Sequence, residues 1–331
     1  MQGRRCLDGV LAYVAREGYW REAGMAFGVN SVAWRLDVEL RWVTVRTRHG
    51  KWRQTRLHWA CWTGLLPRVI ELLEWKSDIE AADKNGNTPL HLASRKGHLE
   101  VVRELVRRGA KVGAKTKIGS TPLHDASFNG HVEVARLLLD SGADIEAKGN
   151  ISSTPLYQAS QEGKLEVVQL LVARGAVVDT RIVSGGTPLM VASAKGHAPV
   201  VRALLAAGAD VRARNNRSWT ALHMASLYGR TEALRELLKS DEAELNAQDA
   251  FGTSPLMDAC AKGHLMAATL LIGHGADVNV LNHAGESALH LAKHLVTRDA
   301  APPAAGAEAR TAAQLEEHKQ VVALLKAHGA T

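Results

Sequence analysis

Apolar and polar positions along this chain recur as one block about every 33 residues. A short phrase opens each block: Thr88-Pro89-Leu90-His91, Thr121-Pro122-Leu123-His124, Thr154-Pro155-Leu156-Tyr157 and Thr187-Pro188-Leu189-Met190. Variants follow at Thr220-Ala221-Leu222-His223, Ser254-Pro255-Leu256-Met257 and Ser287-Ala288-Leu289-His290, and a degenerate copy precedes them at Thr55-Arg56-Leu57-His58. Successive starts differ by 33, 33, 33, 33, 33, 34 and 33 residues, so the chain holds eight repeats. In each, the opening hydroxyl can cap a helix, and the Pro sits where a missing N–H costs nothing. Leu90, Ala93 and their equivalents predict a short inner helix, which Gly97 ends because Gly adopts the left-handed C-cap cheaply. Val101, Val102, Leu105 and Val106 follow at helical spacing and predict an outer helix. That helix closes at Arg107-Arg108-Gly109, with cations near its negative end. An extended stretch through Ala110, Val112 and Ala114 leads to a turn near Gly119. No block of this size can bury its apolar faces alone. The expected fold is an all-α repeat solenoid in which stacked neighbours share one core.

Departures from the pattern set the domain organisation. Residues 1–51 form an N-terminal appendage outside the repeats. Leu7 to Tyr19 could form a short helix, and Ala33 to Leu40 alternates as a strand does. A small folded appendage and a poorly ordered extension are both open readings. Repeats fill 52–331: a degenerate capping repeat at 52–84, repeats at 85–284 and a C-terminal repeat at 285–331. The first lacks Pro and carries Trp59, Trp62 and Trp75. The sixth has one extra residue near Ser240-Asp241-Glu242, so its outer helix should end differently. The last is stretched: Thr88 to Gly109 spans 21 residues, but Ser287 to Gly329 spans 42. The excess predicts a loop insertion at about 293–314, with the outer helix resuming near Leu315.

The opening Thr-Pro-Leu-His, the central Gly-His (Gly97-His98, Gly130-His131, Gly196-His197, Gly263-His264) and the closing Gly-Ala-Asp (Gly142-Ala143-Asp144, Gly208-Ala209-Asp210, Gly275-Ala276-Asp277) resemble the ankyrin repeat. The resemblance covers about residues 52–331. It implies stacked helix-turn-helix repeats with β-hairpin fingers between them. It also implies that the recurrent histidines hydrogen-bond neighbouring backbone, and that partners meet the concave face of fingers and inner-helix ends.

Composition narrows the class. Only 5% of residues are aromatic, and ten of the fifteen rings lie in the first 75 residues. The remaining five are Phe128, Tyr157, Trp219, Tyr228 and Phe251, so the repeat core must be built from Leu, Val, Ile and Ala. No apolar run approaches the ~18 residues of a membrane helix, which argues against membrane insertion. The first twenty residues show no secretory signal. Three distant cysteines, Cys6, Cys61 and Cys260, argue against a disulfide framework or zinc cluster and for an intracellular setting, cytoplasmic or nuclear.

Candidate chemistry is sparse. Fifteen histidines invite a metal or catalytic reading, but His58, His91, His124, His223 and His290 belong to the opening phrase, and His98, His131, His197 and His264 to the central one. No His-Glu-x-x-His, paired-cysteine or phosphate-cradling loop is present. Cys61 and Cys260 fall at a small-residue position of the inner helix and read as core. No cofactor and no enzymatic activity are expected. Asn246 and Asn279 close stretches that resemble, in ankyrin repeats, sites of asparagine hydroxylation; the turn preference of Asn is the simpler explanation.

What remains is surface. The family register places eleven basic residues on the implied binding face: Lys84, Arg95, Lys96, Lys115, Lys117, Lys148, Arg181, Lys195, Arg214, Arg217 and Lys262. Four acids join them: Asp83, Glu162, Asp249 and Glu286. An excess of that sign points to a protein partner with an acidic segment. The register also groups Trp219, Tyr228 and Phe251 with Arg217 and Leu227, and places Phe128 on the same concave face. Trp, Tyr and Arg dominate binding hot spots. The resulting expectation is a monomeric, non-catalytic interaction scaffold or adaptor. Two alternatives stay open: nucleic-acid or polyanion binding through the same basic face, which the interrupting acids argue against, and a targeting or regulatory subunit of an enzyme complex.

Overall fold

The structure, a computed structural model, describes residues 42–47, 50–300 and 312–330. The helix and strand expected within 7–19 and 33–40 lie outside the described residues. Contacts divide the chain into two compact bodies, one of residues up to 93 plus 100–111, the other of 94–99 plus 112 onward.

The first body opens with an antiparallel hairpin of β1 (Trp42–Thr47) and β2 (Gly50–Thr55). Thr55 ends β2 and caps α1 (Arg56–Thr63), its hydroxyl accepting the His58 N–H at 3.2 Å. β2 thus runs without a linker into the first repeat. α2 (Leu66–Glu74) packs back on α1. It ends at Trp75, which is exposed and lies under the Arg68 guanidinium at 5.3 Å. α3 (Pro89–Lys96) and α4 (Leu99–Arg107) form the second repeat.

After the end of α3 the second body carries, among the described residues, six helix pairs, the last of them in the final repeat. The inner helices of the first five are α5 (Pro122–Asn129), α7 (Pro155–Gln161), α9 (Pro188–Lys195), α11 (Ala221–Leu227) and α13 (Pro255–Lys262). Their outer partners are α6 (Val132–Asp140), α8 (Leu165–Ala173), α10 (Ala198–Ala206), α12 (Thr231–Leu237) and α14 (Leu265–Gly273). Inner packs on inner and outer on outer, giving two layers. Leu123, Leu156, Leu189, Leu222 and Leu256 and the Ala three positions after each are at most 1% exposed, so one side-chain type repeats through the core. The sixth repeat's outer helix, α12, stops early, as its extra residue suggests.

The last repeat differs from expectation. α15 runs Ala288–Ala300, so the segment expected as loop from 293 begins as helix. No Gly interrupts Ser287 to Ala305, so the sequence holds no helix stop between the cap and Pro302-Pro303. The outer helix α16 then spans Ala312–Ala327, beginning before Leu315. His98 precedes Gly109 by eleven residues; eleven before Gly329 stands His318. His318 is buried, and a Cβ on Gly263 would overlap its ring. It therefore packs on a preceding Gly as His131 does on Gly97, although it lies inside a helix that starts earlier than its counterparts.

The recurrent histidines join repeats. His124 Nε2 lies 3.0 Å from the Ser153 carbonyl, and Nδ1 lies 3.2 Å from the Thr121 N–H. A carbonyl can only accept, so Nε2 carries the proton and Nδ1 accepts. His58 reaches Asn87 O at 2.9 Å and His223 reaches Thr253 O at 3.0 Å in the same way. Burial pushes all three imidazoles below the usual range, opposed by these carbonyls, so they stay neutral at pH 7. The central histidines reach backward: His131 to Arg95 O at 3.0 Å, His197 to Gln161 O at 3.0 Å and His264 to Leu227 O at 3.1 Å. Arg230 substitutes in the sixth repeat, donating Nε–H to Ala194 O at 3.0 Å.

Candidate functional site

The fingers are built from five-residue turns rather than extended ladders. Among the described residues, paired strands occur only in β1 and β2. Backbone bonds close each finger across the turn, such as Thr116 N to Ser120 O, Asn215 N to Trp219 O and Asp249 N to Thr253 O, at 2.9 to 3.0 Å. In the second body neighbouring tips are tied: Val183 N to Ile151 O (2.9 Å), Asn216 N to Ser184 O (3.0 Å), Ala250 N to Arg217 O (3.1 Å) and His283 N to Phe251 O (2.9 Å). The tips from 151 to 283 therefore form one connected rim, and the tip at Gly119 lies close against Lys148 O, 3.3 Å from where a Cβ would stand.

That rim is apolar at several points. Ile118, Ile151, Val183 and Phe251 are 61, 50, 70 and 67% exposed. Only Phe251 is expected from the aromatic pattern; the aliphatic tips are legible once the finger register is applied to Ile and Val as well. Ile151 and Ser152 hold φ of 53° and 62°. The left-handed region is strained for a β-branched residue. A strained, exposed tip is of the kind found at functional surfaces.

The aromatic group is distributed differently from a simple exposed patch. Tyr228, at the end of α11, is 50% exposed, and Phe128 on α5 is 41% exposed. Trp219 is half-buried, and its indole N–H donates to Asp249 Oδ2 at 2.8 Å on the next finger. It is both a surface ring and a finger-to-finger tie. Exposed Arg217 lies over the Trp219 ring at 5.4 Å, within cation–π range. Leu227 is half-buried beside Tyr228. Asp249 also accepts the Phe251 and Thr253 N–H groups, each at 2.8 Å. Burial pushes its carboxyl up, but the Trp219 and backbone donors outweigh burial and hold it below the ordinary range.

The expected basic excess is partly consumed inside the protein. Arg95 pairs with Asp125 at 3.0 Å. Arg181 donates to Arg214 O at 2.6 Å, and Arg214 donates to Gln248 O at 2.8 Å and pairs with Glu244 at 2.7 Å. Arg181 and Arg214 stitch fingers together, and Arg95 joins two inner helices. Lys115, Lys117, Lys148, Lys195 and Lys262 remain exposed, as do Lys84 and Lys96. Two buried acids absent from the register, Asp125 and Asp258, lie in the first turns of α5 and α13.

The two asparagines have a structural task. Asn246 Oδ1 accepts the Asp277 N–H at 2.9 Å. Glu80, Glu146 and Asp179 accept the same backbone position of their next repeats. Asn246 is thus one of a series of acceptors joining repeats, and Asn279, one repeat later, reaches Gly329 O at 3.4 Å. Both are exposed. Cys61 and Cys260 are buried, and burial pushes both thiols up, Cys260 to about 12. Neither is a nucleophile at neutral pH. Among the described residues no three metal-ligating side chains converge, and no helix is long and apolar enough to cross a membrane.

A family model described as Ankyrin repeats (3 copies) matches residues 57–149, 104–182, 156–249, 205–282 and 242–301. No curated protein matches the chain.

Proposed function

The chain belongs to the ankyrin repeat family, whose repeats generally serve protein–protein interaction, and from that premise we propose a non-catalytic scaffold or adaptor that docks a protein partner on its fingers and inner-helix ends. The observation that carries this reading is the rim itself. Exposed Ile118, Ile151, Val183 and Phe251 line tips beside exposed Lys117 and Lys148. Apolar anchors rimmed by charge are the makeup of an interface. The lysines favour a partner whose contacting segment is acidic as well as apolar. A polyanion reading is less well supported, because Arg95, Arg181 and Arg214 are engaged within the protein and the apolar tips offer phosphates nothing.

Charge reversal tests the proposal. Lys117→Glu with Lys148→Glu is expected to slow association with the captured partner about tenfold at low salt and hardly at all at high salt, because exposed charges act mainly on encounter. Surface plasmon resonance across a salt series measures this. Association unchanged at low salt would exclude the acidic segment from this part of the face.

A further inference from the structure

Asp125 and Asp258 occupy the same place in their repeats, four residues after the capping Thr121 and Ser254. Both are buried, at 8 and 7% exposure. Asp125 is matched from within. Arg95, at the end of the preceding inner helix, gives Nε–H to Oδ1 at 3.1 Å, and Nη2 reaches Oδ1 at 3.0 Å and Oδ2 at 3.3 Å. The residue seven after the cap supplies that fork. In the sixth repeat, seven after Thr220, stands Leu227.

Asp258 therefore lacks the arginine that its counterpart Asp125 has, with Leu227 at the equivalent position. Its Oδ2 has no hydrogen-bond partner. Lys262, one turn on, acts on it electrostatically but forms no ion pair with it. Burial, and next the charge of Asp249, push Asp258 up to about 8. A buried carboxyl without a partner is costly, and its retention needs a reason. Tyr228, half-exposed, follows Leu227 at the end of α11, which packs on α13. On the same stretch Trp219 already holds the Arg217 guanidinium over its ring.

We propose that Asp258 is the receptor for an arginine side chain of the docked protein partner, which supplies in trans the fork that Arg95 supplies to Asp125. This rests on the reading of the face as a docking surface and adds a basic anchor to it. Arginine fits better than lysine because its planar guanidinium suits a carboxylate and stacks on rings. The acidic segment and the arginine would lie at separate points of one partner, against the lysines of the third and fourth repeats and against the sixth and seventh.

The test uses the full chain and a small probe, independent of any partner. Carboxyl-carbon NMR follows Asp258 while N-acetyl-arginine amide is titrated in, with N-acetyl-citrulline amide as the uncharged control. The expected result is a saturable millimolar response at Asp258 and the Tyr228 ring, and a fall of the Asp258 midpoint by about one pH unit or more. Citrulline amide gives neither. Leu227→Arg should lower the midpoint unaided and abolish the probe response. If that variant does not fold, Asp258→Asn serves, and the Tyr228 response must vanish in it. No response in the wild type, an equal response to citrulline, or a Tyr228 response surviving Asp258→Asn would overturn the proposal. A failed probe with partner capture intact on the fingers overturns the arginine receptor and leaves the docking surface standing.

Discussion

Replacing Asp258 with Asn is expected to stabilise the protein by about 2 kcal/mol near pH 7.5 and to destabilise it by about 2 kcal/mol near pH 4. The carboxyl titrates at about 8 in the folded chain because it is buried and lies near Asp249. Unfolded, it titrates near the ordinary value of 3.8. As pH rises past that value the unfolded chain ionises while the folded one cannot. Folded stability therefore drops steadily between about pH 4 and pH 8, by up to about 4 kcal/mol at pH 7. Asn removes the titration, but its amide also lacks partners, so only part of that cost is recovered. Urea unfolding at several pH values checks this. The two stabilities should cross between about pH 4 and pH 7 and run parallel above pH 8. A gain independent of pH, or a loss near pH 7.5, would show that Asp258 is matched within the chain.

The fold is legible in the sequence because each repeat states its own physics. Thr121 and its equivalents cap, Pro122 and its equivalents start helices, Gly97 and Gly130 stop them, and one Leu and one Ala per repeat fill the core. The face is less legible. Asp125 and Asp258 read in sequence as first-turn acids that suit a helix dipole. Their burial depends on packing that no local pattern records. Arg95, Arg181 and Arg214 read as free positive charge, but the carbonyls and carboxylates that hold them lie about 30 residues away. His318 is hidden by the insertion before it and emerges only when the last repeat is counted backward from Gly329. The helical start of the insertion follows from the lack of a Gly before Pro302.

Trp219→Ala combined with Tyr228→Ala is expected to weaken partner binding at least about 100-fold while leaving the helical circular dichroism unchanged. Tyr228 is half-exposed at the end of α11, and Trp219 presents a ring already stacked by Arg217. The two changes do not act alike. Trp219 also donates to Asp249, so its loss frees a buried carboxylate oxygen and should cost about 1–2 kcal/mol of stability. Tyr228→Ala alone should leave stability within about 0.5 kcal/mol of the wild type and still weaken binding about tenfold or more. Isothermal titration with the captured partner, alongside thermal unfolding, separates the effects. Binding that falls only as far as stability falls would reduce Trp219 to a tie between fingers.

A protein partner is expected to dock on the finger rim and inner-helix ends. Site-specific photo-cross-linking in the native cell tests this most directly. A photoreactive residue at Ile118, Ile151 or Phe251 should trap one and the same partner, and the adduct should disappear when Trp219 and Tyr228 are replaced. The same residue at Arg103 or Arg136, on the outer helices, should trap nothing specific. Adducts of equal yield from the outer helices, or rim adducts that persist in the double variant, would contradict the account.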